Sequence, residues 1–176
     1  MPEHTPHIRP ATEQDLAAIL SIYNEVIANT TAAYVYEPHT LEMRQQWFAE
    51  LKSGGWPVLA SEYDGTVTGF GCIGLFRSKP GYKYSGEHTV HVHADHRGKG
   101  IGGALLQALI EEARRMELRT LIGGIDSENM VSIAFHAQHG FVECARIKDV
   151  AFKFGRWLDL VFVQLILDGP RMPIEK

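Results

Sequence analysis

The segment Arg97-Gly98-Lys99-Gly100-Ile101-Gly102 combines three glycines with two cations. A stretch with strand character runs into it and a helical pattern leaves it. Glycine has no Cβ, so backbone N–H groups can converge on a ligand there. The unpaired N–H groups and partial positive charge of a helix start favour an anion. Arg97 and Lys99 add donors. The combination suits a phosphate or pyrophosphate. The glycines also fit G-x-G-x-x-G through Gly98, Gly100 and Gly103. That dinucleotide fingerprint should open directly from an apolar parallel strand. Here the preceding strand alternates polar residues and Ala94-Asp95-His96 intervene, which argues against a nicotinamide enzyme. No G-x-x-x-x-G-K-[ST] pattern is present, so a P-loop NTPase is excluded.

A second concentration of chemistry is His88, His91, His93 and His96. His91 and His93 alternate onto one strand face, as in some metal sites. No later His, Cys or carboxylate stands at a recognisable ligand spacing. No metal is therefore expected.

These groups need elements to hold them. Ile8-Arg9-Pro10 reads as a short edge strand. Thr12 caps a helix, with Asp15 three residues later completing a capping-box variant. Leu16, Ile19, Leu20, Tyr23 and Ile27 recur on one face of it. Asn29 to Tyr34 is β-prone and breaks the helix. Thr40 caps a second helix carrying Leu41, Arg44, Gln45, Trp47, Phe48 and Leu51, and Gly54-Gly55 ends it. Trp56 to Tyr63 and Val67 to Leu75 are strands joined by Asp64-Gly65, a strong hairpin signal. Phe76 to Gly86 is a polar loop, and Glu87 to His93 a strand. After the glycine segment Ala104, Leu105, Ala108, Leu109, Ala113 and Met116 mark an amphipathic helix. Thr120 to Ile125 is an apolar strand, and Asn129 to His139 a short helix stopped by Gly140. Phe141 to Ile147 and Trp157 to Leu167 are closing strands. The predicted fold is mixed α/β (α+β), one central, twisted, mostly antiparallel sheet flanked by helices.

A chain of 176 residues predicts one domain over 1–176, with a core over about 7–168. Its hydrophobic fraction of 45% and charged fraction of 22% exclude intrinsic disorder. No apolar run approaches the ~20 residues of a membrane span. Met1 to Pro6 has neither a basic region nor an apolar core, so no secretory signal is expected. The net charge of −4 gives no global positive field to recruit nucleic acid or an anionic membrane. Cys72 and Cys144 read as thiols in a reducing cytoplasm.

Arg97-x-x-Gly100-x-Gly102 resembles the R/Q-x-x-G-x-G/A loop of the GNAT superfamily of N-acetyltransferases. Asn129-x-x-Ser132-x-x-Phe135-His136-x-x-x-Gly140-Phe141 resembles that family's N-x-x-[AS]-x-x-[LF]-Y-x-x-x-G-F helix. The resemblance covers roughly Ile8 to Asp168. Within the superfamily the chain is most similar to the phosphinothricin and methionine sulfoximine N-acetyltransferases. Ile22-Tyr23-Asn24, Asn29-Thr30-Thr31-Ala32, Gln46-Trp47-Phe48, Glu87 to Val92 and Lys153 to Asp159 carry that likeness.

The resemblance implies acetyl-CoA as cosubstrate, with its pyrophosphate on Arg97, Gly98, Lys99, Gly100, Ile101 and Gly102. It implies backbone pairing of the pantetheine arm with Val90, His91 and Val92, and an oxyanion donor near Val92. Asn129 and Ser132 lie on the helix beside that arm, and Asn129 is equally suited to cap the helix. Amide formation from a thioester needs a base for the ammonium, donors for the oxyanion and a proton for the thiolate. Glu87 matches the family's base, a role that requires partial burial to raise its pKa. His136 replaces the superfamily's usual tyrosine acid and reads either as that acid or as a packing residue. Arg77 would bind an acceptor carboxylate, with Lys79, Tyr82 and Tyr34 around it. The implied acceptor is the α-amine of a small amino-acid analogue. A polyamine, a lysine or a protein N-terminus keeps the fold and changes the acceptor, and a non-catalytic acetyl-CoA sensor is the remaining alternative. Similar enzymes are often homodimers.

Overall fold

The computed structural model describes residues 6–175. Met1–Thr5, most of the stretch read above for a signal, lie outside the described residues. Among the described residues seven strands and four α-helices form. They are β1 (His7–Pro10), α1 (Leu16–Asn29), α2 (Leu41–Ser53), β2 (Val58–Tyr63), β3 (Thr66–Leu75), β4 (Ser85–Val92), α3 (Ile101–Arg115), β5 (Thr120–Asp126), α4 (Met130–Gln138), β6 (Val142–Lys153) and β7 (Arg156–Ile166). The strands hydrogen-bond in the order β1-β2-β3-β4-β5-β7-β6. β4 and β5 are parallel, and the pairs β1–β2, β2–β3, β5–β7 and β6–β7 are antiparallel.

Two compact units divide the chain. One runs to Cys72 and adds Thr89–Leu109. Asp15 opens its helical part, accepting a 2.7 Å bond from the Thr12 backbone N–H, so the expected capping box forms. It stands over a 3₁₀ turn, Glu13–Asp15, that leads into α1. Leu16, Ile19 and Ile22 of α1 pack with Phe48 of α2 and with Val58, Phe70 and Cys72. Each such side chain, fully buried, contributes about 1.5–3 kcal/mol. Ile22 and Val26 are buried where the helical face had been read through Leu20 and Tyr23, which are half-buried. Thr40 caps α2, its hydroxyl accepting from the Met43 N–H at 3.2 Å. The helix ends at Asn29 as expected, with Thr30 already extended and Ala33 packed beside Val26 and Ile27. The Asp64-Gly65 hairpin forms, with φ of 49° and 71°.

The other unit holds Ile73–His88 and everything from Ile110 onward. Leu121, Leu158 and Val161 are fully buried in it. β6 runs on to Lys153, well past the Ile147 expected, and turns through Phe154-Gly155 into β7. Nearly all of β6 is exposed, so it has no inward alternation to announce it. Neither cysteine is in a disulfide; Cys72 is buried and Cys144 exposed. No helix among the described residues is long and apolar enough to cross a membrane.

Candidate active site

In the first unit β4 ends at Val92, a 3₁₀ turn covers Ala94–His96, and the glycine segment leads into α3. Gly98 and Gly100 have φ of 76° and 78°. That is the left-handed region, where a side chain is strained. A Cβ at either position would meet nothing within 4 Å. The glycines therefore shape an open backbone cradle instead of relieving a crowded contact. Gly100 O accepts the first helical bond, from Ala104 N at 3.0 Å. Lys99 is exposed, Ile101 is buried under the loop and Gly102 is half-buried. Arg97 is held sideways: its Nη2 pairs with Glu25 at 2.8 Å and its Nε donates to Val92 O at 3.1 Å. An open cradle at the start of a 15-residue helix, flanked by Lys99 and Arg97, has the chemistry of an anion site.

The expected histidine cluster is parted. His91 is buried against Tyr23 and Phe70, at ring separations of 5.8 and 5.5 Å. Burial, assisted by the charges of Arg44 and Arg97, pushes its pKa down to about 4, so it is neutral at pH 7. Its side chain belongs to the core. His93 and His96 lie edge to face at 5.8 Å. No group of three or more potential metal ligands occurs among the described residues. Near His91, Arg44 is buried, with Tyr23 and Trp47 stacked on its guanidinium at 4.1 and 4.4 Å.

In the second unit Glu87 is half-buried on β4. Pairing of β4 with β5 covers Ser85–Glu87 against Thr120–Ile122 and ends at the Glu87–Ile122 pair. Burial raises the Glu87 carboxyl pKa, and the Arg77 charge pulls it the other way. Arg77 is exposed and rests over the Phe76 ring at 5.2 Å. Tyr82 packs edge-on against Phe76 at 5.9 Å, and Lys79 is exposed at the head of the 3₁₀ turn Pro80–Tyr82. Arg77, Lys79, Tyr82 and Glu87 thus share one unit. Tyr34 stands in the other unit, exposed in the connector between α1 and α2.

His88 points to the opposite side of β4 from Glu87, as strand alternation dictates. Its Nε2 lies 2.9 Å from Nε2 of His136 on α4, and its Nδ1 lies 2.9 Å from Ile122 O. Asn129 caps α4, accepting from Ser132 N at 3.0 Å. Gly123 of β5 makes room for His88, since a Cβ there would stand 2.6 Å from His88 Cε1, whereas one on the neighbouring Gly124 would meet Glu87 Oε1 at an ordinary 3.6 Å. Sequence reasoning passed over the pairing of His88 with His136 and this glycine pair. The signal available was two adjacent glycines inside an apolar strand, which mark a close approach.

With this geometry in place, the likeness to known proteins is informative. Residues 19–141 match the acetyltransferase (GNAT) family. The L-methionine sulfoximine/L-methionine sulfone acetyltransferase of Salmonella typhimurium is 43% identical over 94% of this chain and 97% of its own length. A phosphinothricin N-acetyltransferase of Alcaligenes faecalis is 35% identical over 92% of this chain and 83% of its own. The structure of yncA from Salmonella typhimurium, solved with its cofactor acetyl-CoA, superposes with a TM-score of 0.93 at 42% identity, covering 97% of this chain and 98% of that one. The chain belongs to the GNAT acetyltransferase family. It is an acyltransferase that uses acetyl-CoA, and its mixed sheet has the fold of that family.

Proposed function

We propose that the protein acetylates the α-amine of a small amino-acid-like acceptor, of the methionine sulfoximine and phosphinothricin type, by direct attack in a ternary complex. The observation that carries this reading is Glu87, a carboxyl group half-buried with the Arg77 charge acting on it. A base with a raised pKa suits removal of a proton from an ammonium near neutral pH. A guanidinium acting on the same carboxyl suits an acceptor with an amine at one end and a carboxylate at the other. The names of the relatives favour the same acceptor class. Acetyl-CoA supplies the activated acyl group. Arg97 to Gly102 would hold its pyrophosphate, backbone groups of Val90, His91 and Val92 its arm, and Asn129 and Ser132 would flank it. Lys79, Tyr82 and Tyr34 would shape the acceptor side, and His136 would be the acid. One domain over 1–176 carries these parts in this reading.

A cytoplasmic homodimer completes the proposal. The edge strand β6 exposes Ile147, Val150 and Phe152, and Trp157 beside it is also exposed, a set of apolar groups suited to a second copy. No nucleic acid or membrane partner is proposed.

The test is thiol release from acetyl-CoA with L-methionine sulfoximine and phosphinothricin, beside spermidine and a lysine peptide. Turnover with kcat/KM highest on the amino-acid analogues is expected. Turnover confined to spermidine or the peptide would overturn the acceptor class, and tight acetyl-CoA binding with no turnover on any amine would favour a sensor.

A further inference from the structure

The His88–His136 pair poses a problem of hydrogen counting. Three close contacts tie the two rings in place. His88 Nδ1 is 2.9 Å from Ile122 O, the two Nε2 atoms are 2.9 Å apart, and His136 Nδ1 is 2.7 Å from Ser132 O. A carbonyl oxygen only accepts, so each Nδ1 contact needs its own hydrogen. The Nε2 contact needs a third. Two neutral imidazoles carry two hydrogens between them. The three contacts are satisfied together only when the pair holds one additional proton.

Burial opposes that proton. It pushes His88 down to about 3, with the neighbouring His136 charge adding to the effect, and it lowers His136 as well. The neutral pair must therefore be the resting form, and it needs a different bond somewhere. The two Nδ1 atoms differ in one respect: His88 Nδ1 faces the acceptor Ile122 O, whereas His136 Nδ1 has the Ser132 hydroxyl beside the Ser132 carbonyl. The lone pair is therefore better placed on His136 Nδ1, the hydrogen stays on His88 Nδ1, and His88 Nε2 is an acceptor. His136 must then donate from Nε2, which leaves its Nδ1 as a lone pair. Ser132 Oγ, 3.4 Å away, is a hydroxyl and can donate to it. One residue thus offers His136 Nδ1 a donor and an acceptor: the hydroxyl serves the neutral ring and the carbonyl serves the charged ring. Ser132 is half-buried whereas both histidines are buried, so this nitrogen is the end of the pair nearest to solvent.

We propose that His136 takes up and releases its proton at Nδ1, with Ser132 as the two-state partner of that atom, and that His88 is the positioning residue that keeps Nε2 of His136 protonated throughout. Proton balance is simple. Uptake adds one hydrogen at Nδ1 and turns the contact from Oγ–H···N to N–H···O=C; release reverses both. The Nε2 hydrogen never leaves. The surroundings are spare in charge: His139, just past the end of α4, adds to the lowering of the His136 pKa by burial, β5 contributes Ile122 O and Gly123, and Phe141 packs on both rings at 5.1 and 5.4 Å. Glu87 is on the other face of β4. The catalytic meaning of this port rests on the proposal that His136 is the acid, but the tautomers do not.

The experiment is two-bond 1H–15N correlation of the ring nitrogens in histidine-labelled full-length protein between pH 5 and 9. The expected neutral pattern is hydrogen on Nδ1 for His88 and on Nε2 for His136. Ser132→Ala removes the donor that serves the neutral ring, so the His136 pKa should rise by about one unit, and Ser132→Thr should restore it. His88→Leu should leave His136 as a mixture of tautomers. Hydrogen on Nδ1 of neutral His136 in the unaltered protein would overturn the proposal without any variant having to fold. So would a His136 titration that Ser132→Ala leaves unmoved. A kcat profile that ignores the His136 titration, with the tautomers as expected, would remove His136 as the acid and leave the proton port standing.

Discussion

Arg77 works against burial at Glu87. Desolvation raises the carboxyl pKa, and the guanidinium charge lowers it. The two effects set the pH at which Glu87 becomes a base. Replacing Arg77 by Gln removes the opposing charge, so the Glu87 pKa should rise further. The acid limb of the kcat/KM profile should move to higher pH. KM for an acceptor with a carboxylate should also increase by about 10- to 100-fold, the worth of a charge-assisted hydrogen bond. Steady-state kinetics from pH 5.5 to 9 with methionine sulfoximine and with its carboxamide would check both. Equal losses on the two acceptors would detach Arg77 from the carboxylate.

Glu87→Gln keeps the shape and the neighbours of the side chain and removes its basicity. In the role proposed for it, kcat at pH 7 should fall by about 10²- to 10⁴-fold. Acetyl-CoA affinity, measured by calorimetry, should stay the same, because the glycine cradle lies elsewhere in the chain. The remaining activity should climb with pH as the free amine becomes abundant in solution. An acid limb identical to that of the unaltered protein would take Glu87 out of the mechanism.

Much of this site could be read before any coordinates, for definite reasons. Gly98 and Gly100 signal a left-handed backbone by residue type alone, and the period of Leu105, Ala108 and Leu109 places a helix after them. Asn129, Thr40 and Thr12 are caps whose partners lie three residues away, within the reach of local pattern. The histidines defeated the same reasoning. His88 and His136 are 48 residues apart, and His88 stood among neighbours that suggested a metal. Their contact depends on the β4–β5 register and on the missing side chain at Gly123, which are tertiary facts. β6 was under-read because an exposed edge strand has no buried alternation to reveal its length. Arg44 was read only as one member of the second helix, since nothing local announces that Tyr23 of another helix will stack on it.

The cradle makes a separate prediction. Gly100→Ala puts a side chain where φ is 78° and where nothing crowds the Cβ. The cost is backbone strain of about 1–2 kcal/mol, not a clash. Relief would come from reshaping the loop, which misaligns the N–H groups meant for the pyrophosphate. Acetyl-CoA affinity should weaken by about 10-fold or more, while the pH dependence of kcat at saturating coenzyme stays in place. Calorimetry with acetyl-CoA, beside dephosphorylated pantetheine that lacks the pyrophosphate, would check this. The variant should lose affinity for the first and keep it for the second.

The capping box at the start of the first unit yields a stability prediction whose sign follows from its geometry. Arg9 donates through Nη1 and Nη2 to the two oxygens of Asp15, each at 2.8 Å, and through Nε to Glu62, also at 2.8 Å. The fork of bonds from Arg9 and the N–H of Thr12 hold the Asp15 pKa down at about 2, below its ordinary 3.8. A carboxylate with a depressed pKa stabilises the fold fully above its unfolded value, and that contribution fades as pH falls toward the folded value. The contribution should therefore be present at pH 7 and decline between about pH 4 and pH 2. Asp15→Asn would keep one acceptor and lose the charge, costing about 1–2 kcal/mol at pH 7. The gap between the variant and the unaltered protein should narrow below pH 4 and close only below about pH 2. Urea unfolding at pH 7, 4 and 2 would follow the difference. A gap that stays constant over this range would mean that Asp15 acts as a helix cap alone, without help from the Arg9 charge.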